Sequence, residues 1–329
     1  MSKVKKNLSA ADVEKIFNRH CTGEIVSCKA LTGGTFNSVY KIETKDKKAY
    51  IIKIAPDNNT DVLTYEKNII ASELRFFELL EKSEVVRFPK IYGYNIDEGY
   101  PYKYIVMEFI EGEMLNKAKL GKEERTKAMH KLGQAIAEIH SIDISDGYGY
   151  MQQDLSTSFK SAYKAMTDNV INDGLKVTKS LPFLKRIRDA IEKHIDEFDA
   201  LDKAVLTHFD LWPGNLIVKD GELYGIIDCE RCMLGDPIGD FISLDYMAPI
   251  EKAVPKELIE GYNSYLPQSS KITFNKNQTI RFYLMRLYLG LIVYTETYYR
   301  CSKYSPEFIG RIAFGRIVIR NALKQLEKI

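Results

Sequence analysis

A chain of 329 residues is long enough to bury a sizeable core and to divide into two lobes or domains. Its 45% hydrophobic and 28% charged content is ordinary for a soluble globular enzyme, and a net charge of +2 gives no general attraction to nucleic acid or to acidic membranes. The basic N-terminus has no apolar segment behind it and does not read as a secretory signal. The longest apolar run, near Leu287–Tyr294, is too short to span a bilayer and is bracketed by Arg281, Arg286, Glu296 and Arg300, so it reads as a buried core helix. Five dispersed cysteines suit free thiols in a reducing cytoplasm. Cys229-x-x-Cys232 lacks a second ligand pair for zinc and reads as packing.

In chain order, residues 9–19 have the pattern of a short amphipathic helix, with Ser9 placed to cap it and Asp12 three residues on. Three strand-like runs follow at 23–31, 36–44 and 49–55, the first two joined by Thr32-Gly33-Gly34-Thr35. Together they read as an antiparallel meander. Lys53 sits among isoleucines in the third run, an awkward place for an ammonium group without a partner. Residues 61–82 read as one helix, with Glu66 and Glu73 about two turns apart and nearly on one face. Runs at 88–95 and 102–112 complete the sheet, the second ending Met107-Glu108-Phe109-Ile110-Glu111-Gly112.

From Lys122 the periodicity turns helical. Met129, Leu132, Ile136 and Ile139 form one apolar stripe, and His140 at its end reads as a packing residue. Two further helices follow, the second carrying Leu184, Ile187, Ile191, Ile195 and Phe198 on its apolar face. Residues 255–329 read as three more helices.

The chemistry concentrates between Val205 and Asp240. Asp210 follows His208 as H-x-D, Asn215 comes five residues later, and Asp228 closes the apolar run YGIID. Asp220-Gly221 is a strong two-residue turn signal between LIVK and ELYGII. A hairpin with Lys219 opposite Glu222 would set residue 215 against 226, with Asp228 as a diagonal neighbour of Asn215. An amide oxygen and a carboxylate would then converge where Mg²⁺ could sit, with phosphates and waters completing its shell. Asp210 would lie at the same end, placed to act as a base.

His208-Phe209-Asp210-Leu211-Trp212-Pro213-Gly214-Asn215, then Ile227-Asp228, resembles the catalytic and metal-binding segments of the protein-kinase-like fold. The tail Gly235-Asp236-Pro237-Ile238-Gly239-Asp240 narrows the resemblance to the aminoglycoside phosphotransferase family, which includes choline kinase-like enzymes. Protein kinases would show H-R-D and D-F-G, where this chain has H-F-D and D-C-E.

The resemblance implies an α+β, bilobal fold: a small antiparallel-sheet lobe over 1–107, a hinge at 108–112, and a larger, mainly helical lobe over 113–329. It implies ATP as cofactor, with GTP as the alternative nucleotide, and Mg²⁺ held by Asn215 and Asp228. Asp210 would take or orient the acceptor's hydroxyl proton. Lys53 would pair with the α/β-phosphates, steadied by Glu73, with Glu66 as the other candidate. Gly33, Gly34 and Thr35 would approach the phosphates, although the full G-x-G-x-x-G is absent, and Asn37 could add a contact. The backbone of Glu108 and Ile110 would read the adenine edge. His208, Asp236 and Asp240 would brace the site, and Trp212 would pack under the loop.

The implied activity is transfer of a phosphoryl group to the hydroxyl of a small molecule. An aminoglycoside-type or other antibiotic acceptor comes first, and choline, ethanolamine or a sugar second. A catalytically silent nucleotide-binding regulator is the reading from another class. Acids in the second lobe (Glu230, Asp245, Glu251 and Glu296) would suit a cationic acceptor, and tyrosines 283, 288, 294, 298 and 299 could box an ammonium or simply form core. No nucleic-acid, membrane or obligate protein partner is expected, and the expected compartment is the cytoplasm.

Overall fold

The computed structural model describes residues 2–97, 99–144, 146–267 and 270–329. Helix α1 (Ala10–His20) begins where Ser9 accepts the N–H of Asp12 on its side chain, as the pattern predicts. Strands β1 (Ile25–Leu31), β2 (Ser38–Thr44) and β3 (Ala49–Ile54) form the meander. After helix α2 (Ile69–Leu79), β4 (Ile91–Asn95) and β5 (Tyr104–Glu108) complete a five-stranded antiparallel sheet in the order β1-β2-β3-β5-β4.

Alternation along the strands gives this sheet two apolar faces. Tyr50, Ile52, Ile54, Tyr104 and Val106 pack with Val13, Ile16 and Phe17 of α1. Ile51, Ile105 and Met107 join the second, larger core, which continues through α2 into the helical lobe. Lys53 lies between Ile52 and Ile54 and so points with this second set, toward the cleft rather than toward α1.

The single helix expected over 61–82 is broken. Residues 64–66 form one tight turn, Asn68 adopts a left-handed conformation (φ 58°), and α2 starts only at Ile69. Polar contacts compete with the helix here. Thr64 gives its N–H and its hydroxyl to Asp173, Glu66 accepts the Leu63 N–H on its carboxylate, and Asn68 takes the Lys103 ammonium. Glu66 therefore lies outside α2 and does not share a face with Glu73.

A two-residue strand, β6 (Glu113–Met114), leads into the second lobe. Its helices are α3 (Lys122–Ser141), α4 (Phe159–Val177), α5 (Leu184–His194), the short α6 (Ile250–Ala253), α7 (Lys256–Tyr265), α8 (Lys276–Arg300) and α9 (Pro306–Leu326). Helix α8 is buried along nearly its whole length and packs against α4 and α9. Among the described residues no helix is long and apolar enough to cross a membrane. Helices α3 and α7 touch backbone to backbone at Gly133 and Gly261, where an added Cβ would come within 2.1 Å of the Leu258 carbonyl and 1.9 Å of the His130 carbonyl. Strands β7 (Val205–Thr207) and β10 (Met233–Gly235) pair with each other, while β8 (Leu216–Lys219) and β9 (Glu222–Ile226) form a hairpin bordered by β6.

Candidate active site

Lys53 is 6% exposed and meets three carboxylates. Its Nζ lies 2.7 Å from Glu73 Oε2, 2.6 Å from Asp228 Oδ1 and 3.5 Å from Glu230 Oε2. Burial works to lower the ammonium's pKa, but Asp228, Glu73 and Glu230 outweigh it and hold it well above the ordinary lysine value. Burial raises the Glu73 carboxyl, and Lys53 only partly opposes that. Of the two glutamates considered from sequence, Glu73 is the one that meets Lys53. Glu66 pairs instead with Arg300.

The loop after β7 is held from below by one carboxylate. Asp240 is fully buried and accepts the N–H of Phe209 at 2.6 Å on Oδ1 and that of His208 at 3.1 Å on Oδ2. His140 Nε2 also bonds to Asp240 Oδ2, at 3.0 Å, and its Nδ1 meets the Tyr262 hydroxyl. These bonds support Phe209 in a left-handed conformation (φ 63°), a state that costs a bulky residue about 1–3 kcal/mol. His208 accepts the Asp210 N–H on Nδ1 and donates Nε2–H to the Ile227 carbonyl, so it ties the loop to the segment bearing Asp228. Asp236 caps the turn at 237–241 through the Ile238 N–H and pairs with Arg281 at 2.9 Å. Trp212 packs over Gly214 and keeps 36% of its surface exposed.

The hairpin is present, but its register differs from the expectation by one residue. Lys219 faces Glu222 and Val218 faces Leu223; then the pairing shifts, so that Ile217 faces Gly225 and Leu216 faces Ile226. Tyr224 is the extra residue of this bulge. The cause lies outside the hairpin: the chain at Arg87 runs alongside, with Arg87 N–H bonded to the Tyr224 carbonyl and Ile226 N–H to the Arg87 carbonyl. Asn215 consequently meets Ile227, whose N–H donates to its carbonyl at 3.0 Å. Asp228, the next residue, is left-handed (φ 62°).

Asn215 donates its amide Nδ2 to the Asp210 carbonyl at 2.9 Å, which leaves its Oδ1 as an acceptor. That oxygen and the Asp228 carboxylate, whose side chain is 43% exposed, suit a hard divalent cation that keeps part of its shell for phosphate and water. Among the described residues no group of three or more His, Cys, Asp and Glu side chains converges on a metal position. Cys229 and Cys232 are fully buried free thiols that pack against the Glu73 and Ser72 carbonyls of α2.

Asp210 is 9% exposed and has two neighbours that sequence reasoning missed. Arg231 Nη1 lies 3.5 Å from its Oδ1, and the Tyr246 hydroxyl donates to the same oxygen at 3.4 Å. Burial raises the Asp210 pKa, and Arg231 opposes the rise. Arg231 stands three residues after Asp228, so adjacency to the motif was its only sequence signal.

The acids offered for a cationic acceptor are placed differently from that expectation. Glu296 is 1% exposed and enclosed by Arg231, Arg300 and Arg311. It cannot line an open acidic wall, because this part of α8 is core on the side that carries Glu296. Glu230 turns toward Lys53 and accepts Asn37 Nδ2 at 2.7 Å. Asp245 and Glu251 are exposed, and Asp245 Oδ1 takes the N–H groups of Met247 and Ala248. The tyrosines of α8 bond to the protein itself. Tyr283 accepts the Ile250 N–H, Tyr288 meets Tyr150, Tyr294 meets Tyr298, and Tyr299 donates to the Asp173 carbonyl.

On the sheet side, Gly33 adopts a positive φ of 155°, and a Cβ at Gly33 or Gly34 would meet nothing within 4 Å. Thr35 does not point to that open space; its Oγ1 accepts Arg300 Nη1 at 3.1 Å. At the chain's exit from the sheet, the Glu108 N–H goes to the Lys90 carbonyl and the Phe109 N–H to the Ala49 carbonyl. The Ile110 N–H has no backbone partner among the described residues.

Residues 27–269 match the model of the phosphotransferase enzyme family. A spectinomycin phosphotransferase solved with ADP and spectinomycin superposes with a TM-score of 0.64 at 18% identity, covering 98% of this chain and 100% of that one. An aminoglycoside phosphotransferase solved with streptomycin and ATP gives 0.62 at 16% identity, covering 98% of each chain. These likenesses establish the fold. Altered inheritance of mitochondria protein 9 of Kluyveromyces lactis is 25% identical over an alignment of 174 positions that covers 48% of this chain and 27% of that protein. Its counterpart in Saccharomyces cerevisiae is 29% identical over 97 residues, 29% of this chain and 15% of the relative. The chain thus spans about a quarter or less of the length of these curated relatives. With its family model matched over most of its length and a kinase-like, two-lobed fold, the chain belongs to the phosphotransferase enzyme family.

Proposed function

We propose that the protein is an ATP-dependent O-phosphotransferase that acts on a hydroxyl group of a small molecule. The observation that carries this reading is the convergence, from both lobes, of the Lys53–Glu73 pair, Asn215, Asp228 and Asp210 on one cleft. Phosphoryl transfer asks little covalent chemistry of a protein; it needs alignment and neutralised charge. Mg²⁺ held by Asn215 Oδ1 and Asp228 would supply charge neutralisation on the phosphates. Lys53 exchanges its contact with Asp228 for the α- and β-phosphates when nucleotide enters, while Glu73 keeps its ammonium in place. Asp210 orients the acceptor hydroxyl and takes its proton as its oxygen bonds to the γ-phosphorus and the bond from that phosphorus to the bridging oxygen breaks, releasing ADP. His208 and Asp240 keep Asp210 at its post without touching the reacting atoms. The backbone at Glu108 and Ile110 reads the base.

The test is magnesium-dependent release of ADP, or of GDP when GTP is supplied, across a panel of aminoglycosides, choline, ethanolamine, sugars and hydroxy acids. Acceptor-stimulated release by the wild type, absent from Asp210→Asn, is the expected result. Loss of nucleotide binding by the wild-type protein would sink the assignment.

A further inference from the structure

Beside Asp210 the second lobe presents guanidinium groups in place of free acids. Glu296 accepts Arg231 Nη2 at 2.9 Å and Arg300 Nη1 at 3.1 Å on one oxygen, and Arg311 on the other. The cluster is donor-rich: the Nε atoms of Arg231, Arg300 and Arg311 are buried with no hydrogen-bond partner among the described residues. The Tyr65 hydroxyl, also buried, has none either.

A fourth cation lies under the loop that carries Tyr246. Arg286 is 2% exposed and gives its N–H groups to the carbonyls of Ile242, Asp245 and Ala248. It stacks on Phe282 with its guanidinium carbon 4.4 Å from the ring centre, and it makes no ion pair among the described residues. Its positive charge faces carbonyl dipoles and the Phe282 ring.

The wall leading away from the base can be followed residue by residue. Tyr246 touches Asp210 with its hydroxyl and meets Phe314 edge-on at 5.5 Å. Phe314 and Arg311 stand three residues apart on α9 and so share a face. Arg311 keeps 30% of its side chain exposed, while Glu296, its partner, has 1%. From the base outward, an acceptor would meet a tyrosine, a phenylalanine and a half-open guanidinium backed by Arg231.

Resting on the phosphotransferase reading, we propose that the acceptor is an anionic small molecule, its hydroxyl at Asp210 and its carboxylate or phosphate directed to the part-exposed guanidinium of Arg311, which Arg231 backs from the buried side. An aminoglycoside or choline would bring cations to this wall, where Glu296 is already neutralised. A planar carboxylate or a phosphate matches the fork of arginine donors.

The experiment measures ADP release from MgATP with alcohols matched in size but carrying a carboxylate, a phosphate, no charge, or an ammonium group. It uses wild type, Arg311→Gln and Arg311→Lys. In parallel, the melting temperature of Asp210→Asn protein with MgADP is read with each alcohol. The expected result is stimulation by the carboxylate or the phosphate arm, whichever source the anion has. KM for that acceptor rises at least tenfold in Arg311→Gln and is only partly restored in Arg311→Lys, which keeps the charge without the fork, with KM for ATP within twofold of wild type. Stimulation confined to ammonium or neutral alcohols would overturn the proposal and leave the phosphotransferase reading standing. So would an acceptor KM indifferent to Arg311→Gln. Silence in every arm with MgADP still raising the melting temperature would overturn this proposal alone; silence with no melting shift by MgADP itself would overturn both.

Discussion

Arg300, at the end of α8, reaches across to the glycine turn of the opposite lobe, with its Nη1 3.1 Å from Thr35 Oγ1 and its guanidinium carbon 4.9 Å from the Phe36 ring centre. The same side chain pairs with Glu66 and Glu296, and Glu296 leads through Arg231 to Asp210. A continuous run of buried charges therefore links the turn that roofs the cleft to the candidate base. Removing one member of such a run leaves the others buried and uncompensated. Arg300→Met should cost about 3–5 kcal/mol of stability, read from urea unfolding. Thr35→Val removes only the contact to the turn. It should leave stability near wild type, speed amide exchange over residues 33–37, and raise KM for ATP several-fold. Unchanged exchange in Thr35→Val would show that the contact does not hold the turn.

The electrostatics at Asp210 make a prediction about pH. Burial raises its pKa, and the Arg231 guanidinium pulls it back down. A base works only when deprotonated, so activity should fall as pH drops through this pKa. Arg231→Met removes the lowering influence, and the acidic limb of the kcat/KM profile should move to higher pH. Arg231→Met should cost stability, as loss of any member of this run does, but Glu296 remains paired with Arg300 and Arg311, and activity is read below the variant's own melting temperature. Asp210→Asn should lower kcat by about 10²–10⁴-fold with ATP binding retained. An acidic limb that stays in place in Arg231→Met would mean that Arg231 does not tune this carboxylate.

Much of this site was legible because its chemistry is local in sequence. Asp210, Asn215 and Asp228 lie within a short span, and the turn at Asp220-Gly221 fixes how the span folds. What was not legible depends on distant partners. The bulge at Tyr224 arises because Arg87 bonds on both sides of Gly225, and nothing within the hairpin signals it. The choice between Glu73 and Glu66 turned on where α2 begins, which Asp173, Leu63 and Lys103 decide by competing for polar groups between 63 and 68. Glu296 read as an acid available to a cationic acceptor, because its neutralising partners Arg231 and Arg311 come from other segments. Local patterns bring the proposed transfer residues into one place. The groups packed around them are assembled from tertiary contacts and escape such patterns.

Lys53 sets the charge balance among Glu73, Asp228 and Glu230. Burial holds the Glu73 pKa above its ordinary value, and Lys53 is the influence that lowers it. In Lys53→Met that influence is gone, so the folded-state pKa of Glu73 rises further above its unfolded value. A carboxyl raised on folding favours the folded state when protonated, and that contribution is lost as pH rises from the unfolded pKa through the folded one. Lys53→Met should therefore lose more melting temperature between pH 5 and pH 8 than wild type does, and bind ATP more weakly. A parallel pH dependence of melting in the two proteins would contradict this account of Glu73.

Asp240 offers a separation of positioning from chemistry. It touches no reacting atom, yet it receives the N–H groups of Phe209 and His208 and the Nε2 of His140. Asp240→Ala leaves two backbone donors without their acceptor inside the core, each at about 1–3 kcal/mol. The left-handed backbone at Phe209 also loses the carboxylate that supports it. A stability loss of about 3 kcal/mol should accompany a fall in kcat, because Asp210 follows directly on the released segment. KM for ATP should change little, since Lys53 and Glu73 stand on other elements. Asp240→Asn keeps one acceptor oxygen and should fall between wild type and alanine in both measurements. If kcat in the alanine variant matched wild type below its melting temperature, the carboxylate would serve folding alone.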